Sequence, residues 1–274
     1  MIQNKEKFFK KISNKLRLKC LEIIFKTKAS HIGSIYSCLD IIVYIYLNII
    51  KFKKKKPNHD FIMSKGHAGL AVYLALYYKK IISEKKLSTY YQNGSFLSGH
   101  VSHYKNPGIE VSTGSLGHGL SIGCGYALAN KINNSDKKTF VVMSDGECNE
   151  GSVWEGVLFA SHYKLKNLIC IIDFNNLQSL DTIKNTLNTL PLDKKFKSFG
   201  WNVIKINGHS FKDLFKVFSR KTKNSQPLCI IAKTVKGRGV SFMENNVLWH
   251  YRSPNLDELK LAYSEISSSI QSLR

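Results

Sequence analysis

The chain has few prolines, no closely spaced cysteine pair and no uninterrupted apolar run of membrane-spanning length. Five prolines among 274 residues, without any low-complexity tract, argue against a disordered chain and for a globular one. The six cysteines are scattered without a C-x-x-C pair, which favours reduced thiols packed in the interior. Residues 39–50 are nearly all apolar, but about twelve residues are too few to cross a bilayer, and the stretch predicts a buried helix. The basic N-terminus lacks the apolar core and cleavage site of a signal peptide, so we expect a cytoplasmic protein.

Acidic residues are scarce as well. There are 41 lysines and arginines against 19 aspartates and glutamates, and the formal net charge is +22. Such a charge can indicate nucleic-acid binding, but the basic residues are mostly lysines spread along the whole chain and are not interleaved with aromatics. The densest run, at residues 51–56, follows an apolar helix and predicts a solvated turn. We therefore expect no nucleic-acid partner and no membrane contact, while the charge can attract phosphorylated sugars or an acidic protein.

Short β-branched runs alternate with helical patterns along the second half of the chain. This alternation predicts an α/β fold with a parallel sheet flanked by helices. The predicted strands cover residues 139–144, 168–174, 201–207 and 228–234, and the predicted helices cover residues 5–28, 37–51, 64–78, 121–131, 154–163 and 211–221. Because neither a linker nor an internal repeat is present, we predict a single domain over residues 1–274.

Oxygen-bearing side chains stand where two neighbouring strands of this sheet end. Asp145 and Gly146 follow the first run, and Asn175 closes the second. Ligands of parallel sheets bind at the carboxyl ends of the strands, and a carboxylate with an amide oxygen can hold a hard cation there. Gly146 lets the chain turn sharply, so that phosphate can approach backbone N–H groups. The pattern predicts a metal-anchored diphosphate site.

Four histidines occur in separate loops that contain glycine, serine or tryptophan neighbours. They are His31, His67, His100 and His250. With a cofactor signature on the same chain, we interpret them as converging on one polar cleft, where imidazoles suit proton transfer and hydrogen bonds to sugar hydroxyls. None has the spacing of a zinc site. The remaining five histidines are interpreted as surface or structural residues.

A set of segments, taken in order and spacing, resembles the N-terminal, thiamine-diphosphate-binding half of a transketolase of the split type, in which two polypeptides form one enzyme. The resemblance runs from about residue 15 to residue 255. It is carried by ASHIG at 29–33, MSKGHA at 63–68, GH at 99–100, PGIEVSTGSLG at 107–117, SDGECNEG at 144–151, DFNN at 173–176, KTVKGRGVSFME at 233–244 and WH at 249–250.

The resemblance implies a thiamine-diphosphate-binding (PP-domain) fold and a cofactor site. Asp145, Asn175 and the main-chain carbonyl of Leu177 would bind Mg²⁺ or Ca²⁺. The implied cofactor contacts are Gly146 and His67 at the diphosphate, His250 between diphosphate and substrate, and Gly114 and Leu116 at the aminopyrimidine end. His31 and His100 would meet the donor ketose, with His250 as a third catalytic histidine.

The resemblance also implies a partner chain. In this family a glutamate and an aromatic pocket at the pyrimidine ring belong to the second half of the enzyme, which this chain lacks. Glu150 matches a carboxylate buried at the subunit contact, and an α2β2 assembly is expected. The chain departs from the family pattern at Ser144, where the family has glycine, and at His118, where it has glutamine. The YRSP segment at 251–254 is bulkier than the GKAP of the family, so the resemblance leaves the acceptor open.

The expected function is transfer of a two-carbon ketol unit from a ketose to an aldose acceptor. Three alternatives stay open on the sequence. The acceptor could be non-standard, such as a nucleotide-activated keto sugar; the chain could be a non-catalytic basic binding protein that retains the fold; or it could resemble the α-subunit of a 2-oxo acid dehydrogenase, although the four-histidine pattern does not match that family.

Overall fold

Five parallel strands form the central sheet, which confirms the predicted α/β class. The computed structural model describes residues 2–220 and 225–273. Along the chain the strands are β1 (Phe52–Lys53), β2 (Lys56–Pro57), β3 (Asp60–Met63), β4 (Thr139–Ser144), β5 (Leu168–Phe174), β6 (Asn202–Asn207) and β7 (Leu228–Lys233). The sheet has the order β3-β4-β5-β7-β6, and β1 and β2 form a separate hairpin. The lysine run at 51–56 forms most of this hairpin. Its lysines are exposed to solvent, so the predicted solvated turn is confirmed.

Helices cover both faces of the sheet. They are α1 (Ile2–Thr27), α2 (Ile32–Tyr44), α3 (Gly69–Tyr78), α4 (Glu84–Leu87), α5 (His118–Ile132), α6 (Gly151–His162), α7 (Ile183–Thr186), α8 (Leu192–Ser198), α9 (Phe211–Phe218) and α10 (Leu256–Gln271). Alternate residues of β4 point to opposite sides: Val142 packs in a core with α1, α2, α3 and α9, whereas Val141 packs in a second core with α5, α6 and α8.

Helix α2 is buried along its whole length and positions part of the site. The helix begins at Ile32, five positions before the start of the buried helix predicted at 37–51. It continues at its C-terminal end into one π-helical turn, Ile45–Ile49. The stretch Ile32–Ile49 is long and apolar enough to cross a membrane, but 83% of it is buried inside the protein. All six cysteines lie among the described residues, buried and free, as the packed-thiol interpretation expects.

Several elements escaped the sequence analysis, namely the hairpin strands β1 and β2, strand β3, the short helices α4, α7 and α8, and the C-terminal helix α10. Strand β3 has four residues, all buried, and begins directly after the lysine-rich hairpin, where its period cannot be recognised. The helix predicted at 64–78 is shorter than expected, because a 3₁₀ turn occupies Gly66–Ala68 and α3 begins only at Gly69. Helix α10 lies beyond the resemblance, although Asn255 and Glu258 form a capping box at its start. The helix predicted at 211–221 ends at Phe218, and residue 221 lies outside the described residues.

Candidate active site

The predicted site residues meet at the carboxyl edge of the sheet. Strands β4 and β5 are neighbours, with Ser144 paired to Asp173, so Asp145 and Asn175 follow adjacent strand ends as predicted. A cavity of about 290 Å³ opens here. It is lined by nearly the whole predicted set: His31, His67, His100, Gly114, Leu116, Gly146, Glu150, Asn175, Leu177 and His250. Asp145 is fully buried beneath it.

Backbone N–H groups hold the Asp145 carboxylate in place. It accepts hydrogen bonds from the N–H of Gly146 at 2.9 Å, of Asn175 at 2.9 Å and of Asn176 at 2.7 Å. Burial, and then the neighbouring Asp173 carboxylate, raise the pKa of Asp145 to about 7, against the effect of these hydrogen bonds. A nearby cation would stabilise the charged form of this buried carboxylate. The side-chain oxygen of Asn175 and the carbonyl oxygen of Leu177 are further hard ligands of the kind that divalent cations bind. The residues therefore fit a divalent ion.

Below Asp145 lies a buried ion pair that the sequence analysis did not assign. The Lys65 ammonium contacts the Asp173 carboxylate, and both side chains are buried. Asp173 also accepts hydrogen bonds of 2.5 Å from Ser37 and Thr234. Burial alone would raise the pKa of Asp173, but Lys65 and the hydroxyls outweigh it and hold that pKa below its usual value. Lysine at 65 and serine at 37 thus keep one of the two buried carboxylates charged.

The four loop histidines form one cluster around the cavity. The ring centroid of His31 lies 5.2 Å from that of His67, 5.7 Å from that of His100 and 5.0 Å from that of His250. His31 adopts φ +75° at the start of α2, and its N–H donates to the carbonyl of His250 at 2.8 Å. The convergence expected from the sequence is therefore present, although the loops are far apart in the chain.

Lys236, a second buried lysine, contacts this cluster. Its Nζ lies 3.0 Å from Nδ1 of His250 and donates to the carbonyl of Gln178 at 2.6 Å. Burial, followed by the charge of Lys65, lowers the pKa of Lys236 to about 8. Burial also lowers the pKa of His31 to about 4 and that of His250 to about 3, with Lys236 adding to both effects. The imidazoles of His31 and His250 are thus neutral at pH 7, and Lys236 contributes a positive charge at the cavity wall, which suits an anionic group such as a diphosphate.

The carboxylate of Glu147 fastens the glycine-rich loop to the site. It accepts hydrogen bonds from the N–H of Gly117 at 3.1 Å, from the N–H of Ser144 at 2.7 Å and from the Ser64 hydroxyl at 2.5 Å. Gly117 has φ +80°, and a Cβ there would lie 2.5 Å from Cβ of Glu150. Ser144, a departure from the family pattern, also donates to Glu147 through its hydroxyl at 3.2 Å and accepts from the N–H of Glu147 at 3.3 Å, so its side chain adds contacts that glycine could not make. Glu150 is exposed beside the loop, and its predicted place at a subunit contact stays a prediction.

Sequence reasoning missed Lys65 and Lys236, although both lie inside the quoted segments. The sequence pattern that could have indicated them is a lysine followed by glycine shortly after a buried strand, as in SKG at 64–66 and VKG at 235–237. His209 was treated as a surface or structural residue and proves structural, since its Nδ1 lies 2.7 Å from Asp40. A larger cavity of about 670 Å³ adjoins the ends of β6 and β7. None of the four clustered histidines lines it, and its Lys205 is paired with Asp193.

The chain is similar in sequence and in structure to known proteins. The family described as transketolase, thiamine diphosphate binding domain, matches residues 9–265. An apulose-4-phosphate transketolase subunit from Phocaeicola vulgatus is 40% identical over 95% of this chain and 94% of its own length. The 6-deoxy-6-sulfo-D-fructose transketolase subunit SqwG of a Clostridium species is 32% identical over 93% of this chain and 94% of its own. The crystal structure of Campylobacter jejuni transketolase superimposes with a TM-score of 0.87 at 24% identity, and this chain covers 45% of its length.

Proposed function

The chain belongs to the transketolase family through its thiamine diphosphate binding domain, and from this membership we propose that it is the diphosphate-binding subunit of a split transketolase. The observation that carries the proposal is the cavity at the sheet edge, where four histidines, two buried lysines and the Asp145–Asn175 pair meet. Two relatives matched over nearly their whole length are named as subunits, which supports a chain that works with a partner.

The cofactor half of the proposal concerns the floor of the cavity. Asp145, Asn175 and the Leu177 carbonyl would hold Mg²⁺ or Ca²⁺, and Gly146 and His67 would lie against the diphosphate. Lys236 adds a cation beside this position. Gly114 and Leu116, which also line the cavity, would meet the aminopyrimidine end. When bound, thiamine diphosphate supplies the stabilisation of the carbanion that a ketol transfer requires.

The histidines would carry the proton transfers. Because burial lowers the pKa values of His31 and His250, each ring is neutral at pH 7 and offers one N–H donor and one acceptor nitrogen. A neutral imidazole can take a proton from a sugar hydroxyl and return it to a developing alkoxide. His31 and His250 would exchange protons with the substrate, and His100 would orient the donor ketose.

The partner would complete the cleft. We propose that the described fold is one PP domain, that the pyrimidine-binding domain belongs to a second chain, and that the assembly is α2β2. Leu116 and Glu150, at the cavity edge, are exposed and available to such a chain. We also propose a cytoplasmic location, supported by six buried free cysteines.

A second candidate is transfer to a non-standard sugar. Two relatives are named for apulose-4-phosphate and 6-deoxy-6-sulfo-D-fructose. In this chain the cavity rim carries Tyr251, where the family pattern has glycine. A bulkier rim favours an acceptor other than the usual aldose phosphates. A nucleotide-activated keto sugar is one such acceptor.

The test is reconstitution. The chain is purified alone and together with a partner chain that carries a pyrimidine-binding domain, to be sought in the neighbouring reading frames. Ketol transfer is assayed with thiamine diphosphate and Mg²⁺ across a panel of aldoses and keto sugars. We expect transfer only from the complex. Full activity of the lone chain would refute the split site, and a complex that binds the cofactor but transfers no ketol unit would refute the function.

A further inference from the structure

Tyr251 stands at the mouth of the cavity beside the histidine cluster. Its ring centroid lies 4.7 Å from that of His250, at an interplanar angle of 69°, and 6.3 Å from that of His31. The side chain lines the cavity and is 58% exposed. Its hydroxyl makes no hydrogen bond with any residue in 2–220 or 225–273. A large aromatic side chain with a free polar end thus faces the entrance to a polar site.

The chain on both sides of Tyr251 is anchored. Trp249 is buried, and its indole N–H donates to the carbonyl of Phe242 at 3.0 Å. The Arg252 guanidinium packs 5.1 Å from the Trp249 ring and forms an ion pair with Glu258, the capping residue of α10. Since Arg252 is engaged in this pair, its charge is directed to α10 and away from the cavity. The position of Tyr251 is therefore set by its neighbours, while its own ring remains open to a ligand.

The solvent exposure of the side chains around the cavity increases from its interior to its mouth, where Tyr251 lies. His67 is buried at 9% exposure, and Lys65 lies deeper still at 1%. His31 and His250 are half-buried, and the exposed Tyr251 ring lies next to both, while the exposed His100 ring lies next to His31. A substrate whose carbonyl reaches these histidines can extend its remaining carbon chain along Tyr251.

We infer that Tyr251 is a specificity-determining residue that binds the carbon chain of the sugar beyond the reacting carbonyl. This inference rests on the proposed function and deepens it. An aromatic face packs against the C–H groups of a sugar, and the free phenol can exchange a hydrogen bond with a sugar hydroxyl. The ligand class is a ketose or aldose of at least four carbons, whereas a two-carbon aldehyde has no further carbon chain to pack against the ring.

The experiment compares two substrate pairs on the reconstituted complex. The short pair is hydroxypyruvate with glycolaldehyde, and the long pair is a ketose phosphate with an aldose phosphate. For Tyr251→Gly we expect the ratio of long-pair KM to short-pair KM to rise about ten-fold, the effect of one lost ring contact. For Tyr251→Phe, which keeps the ring, we expect a rise of about three-fold from the lost hydroxyl alone. Tyr263→Ala, an exposed tyrosine on α10 away from the cavity, is the matched control and should leave the ratio as it was.

Binding of the aldose phosphate to each complex, measured by calorimetry, makes the comparison independent of turnover. Weaker binding to Tyr251→Gly than to the native complex supports the inference even if no ketol transfer occurs. Equal KM changes for both pairs, or no change for either, would overturn it. A loss of thiamine diphosphate affinity in Tyr251→Gly, with the ratio unaltered, would assign the residue to the cofactor and equally refute the inference.

Discussion

At the scale of single residues, Asp145 and Asp173 are neighbouring buried carboxylates, and only Asp173 is paired with a lysine. Lys65 neutralises Asp173, which leaves Asp145 dependent on backbone N–H groups. A divalent ion at Asp145 would supply the missing positive charge and would bind the diphosphate at the same time. This arrangement explains why the pKa of Asp145 is raised whereas that of Asp173 is lowered, although both are buried.

Asp145→Ala should therefore abolish stabilisation by the cofactor. With thiamine diphosphate and Mg²⁺ at a hundredfold excess over Kd, the native chain should gain about 2.7 kcal/mol and a higher Tm, and the variant should gain none. Thermal melts with and without cofactor measure both. Asp136→Ala, at an exposed aspartate away from the cavity, should keep the full shift. An undiminished shift in Asp145→Ala would remove the metal assignment.

At the scale of elements, close backbone contact holds the loop after β3 against the glycine-rich loop. A Cβ on Gly66 would lie 2.3 Å from the carbonyl oxygen of Thr113, and the Thr113 hydroxyl donates a hydrogen bond to the carbonyl of Met63. The next residue, Gly114, lines the cavity. A side chain at Gly66 must therefore displace the wall of the site.

Gly66→Ala should lower the free energy of unfolding by about 1–3 kcal/mol, the cost of overpacking, and should weaken cofactor binding. Gly125→Ala is the matched control: it lies within α5 with open space around it, and alanine should raise stability by about 1 kcal/mol through helix propensity. Urea unfolding compares them. Equal stability of the two variants would show that the loops are not in firm contact.

At the scale of the whole molecule, a buried ion network joins segments from both ends of the chain. Arg17 on α1 and His209 after β6 both contact Asp40 of α2 at 2.7 Å. Burial by itself would raise the pKa of Asp40, but Arg17 and His209 outweigh it and hold the pKa well below its usual value. His209 also accepts from the N–H of Val235, next to Lys236, so the network reaches the cavity wall.

This network should make the fold acid-sensitive. A depressed carboxylate pKa contributes stability above the unfolded value of about 3.9 and loses it as the pH falls below that value. Asp40→Asn should cost about 3 kcal/mol at pH 7, because Arg17 is left buried without its partner, and the difference from the native chain should shrink below pH 4. Urea titrations at both pH values test this. Asp257→Asn, at an exposed carboxylate of α10, should change little at either pH, and a pH-independent difference for Asp40→Asn would contradict the linkage.

The sequence by itself determined the sheet class, the strand ends at Asp145 and Asn175, and the loops that carry the four histidines. These features depend on local periodicity and on a general rule, that the carboxyl ends of parallel strands share one edge, so they need no knowledge of contacts. Short or unusual elements escaped for the same reason, since β3 is too brief to show a period.

Only the tertiary structure decided which distant groups meet. It set β7 between β5 and β6, paired Lys65 with Asp173, brought Lys236 to His250, and turned Tyr251 toward the cavity mouth. Each of these contacts depends on how helices pack across the sheet, and the packing energy of many apolar side chains, not any local pattern, brings such residues together.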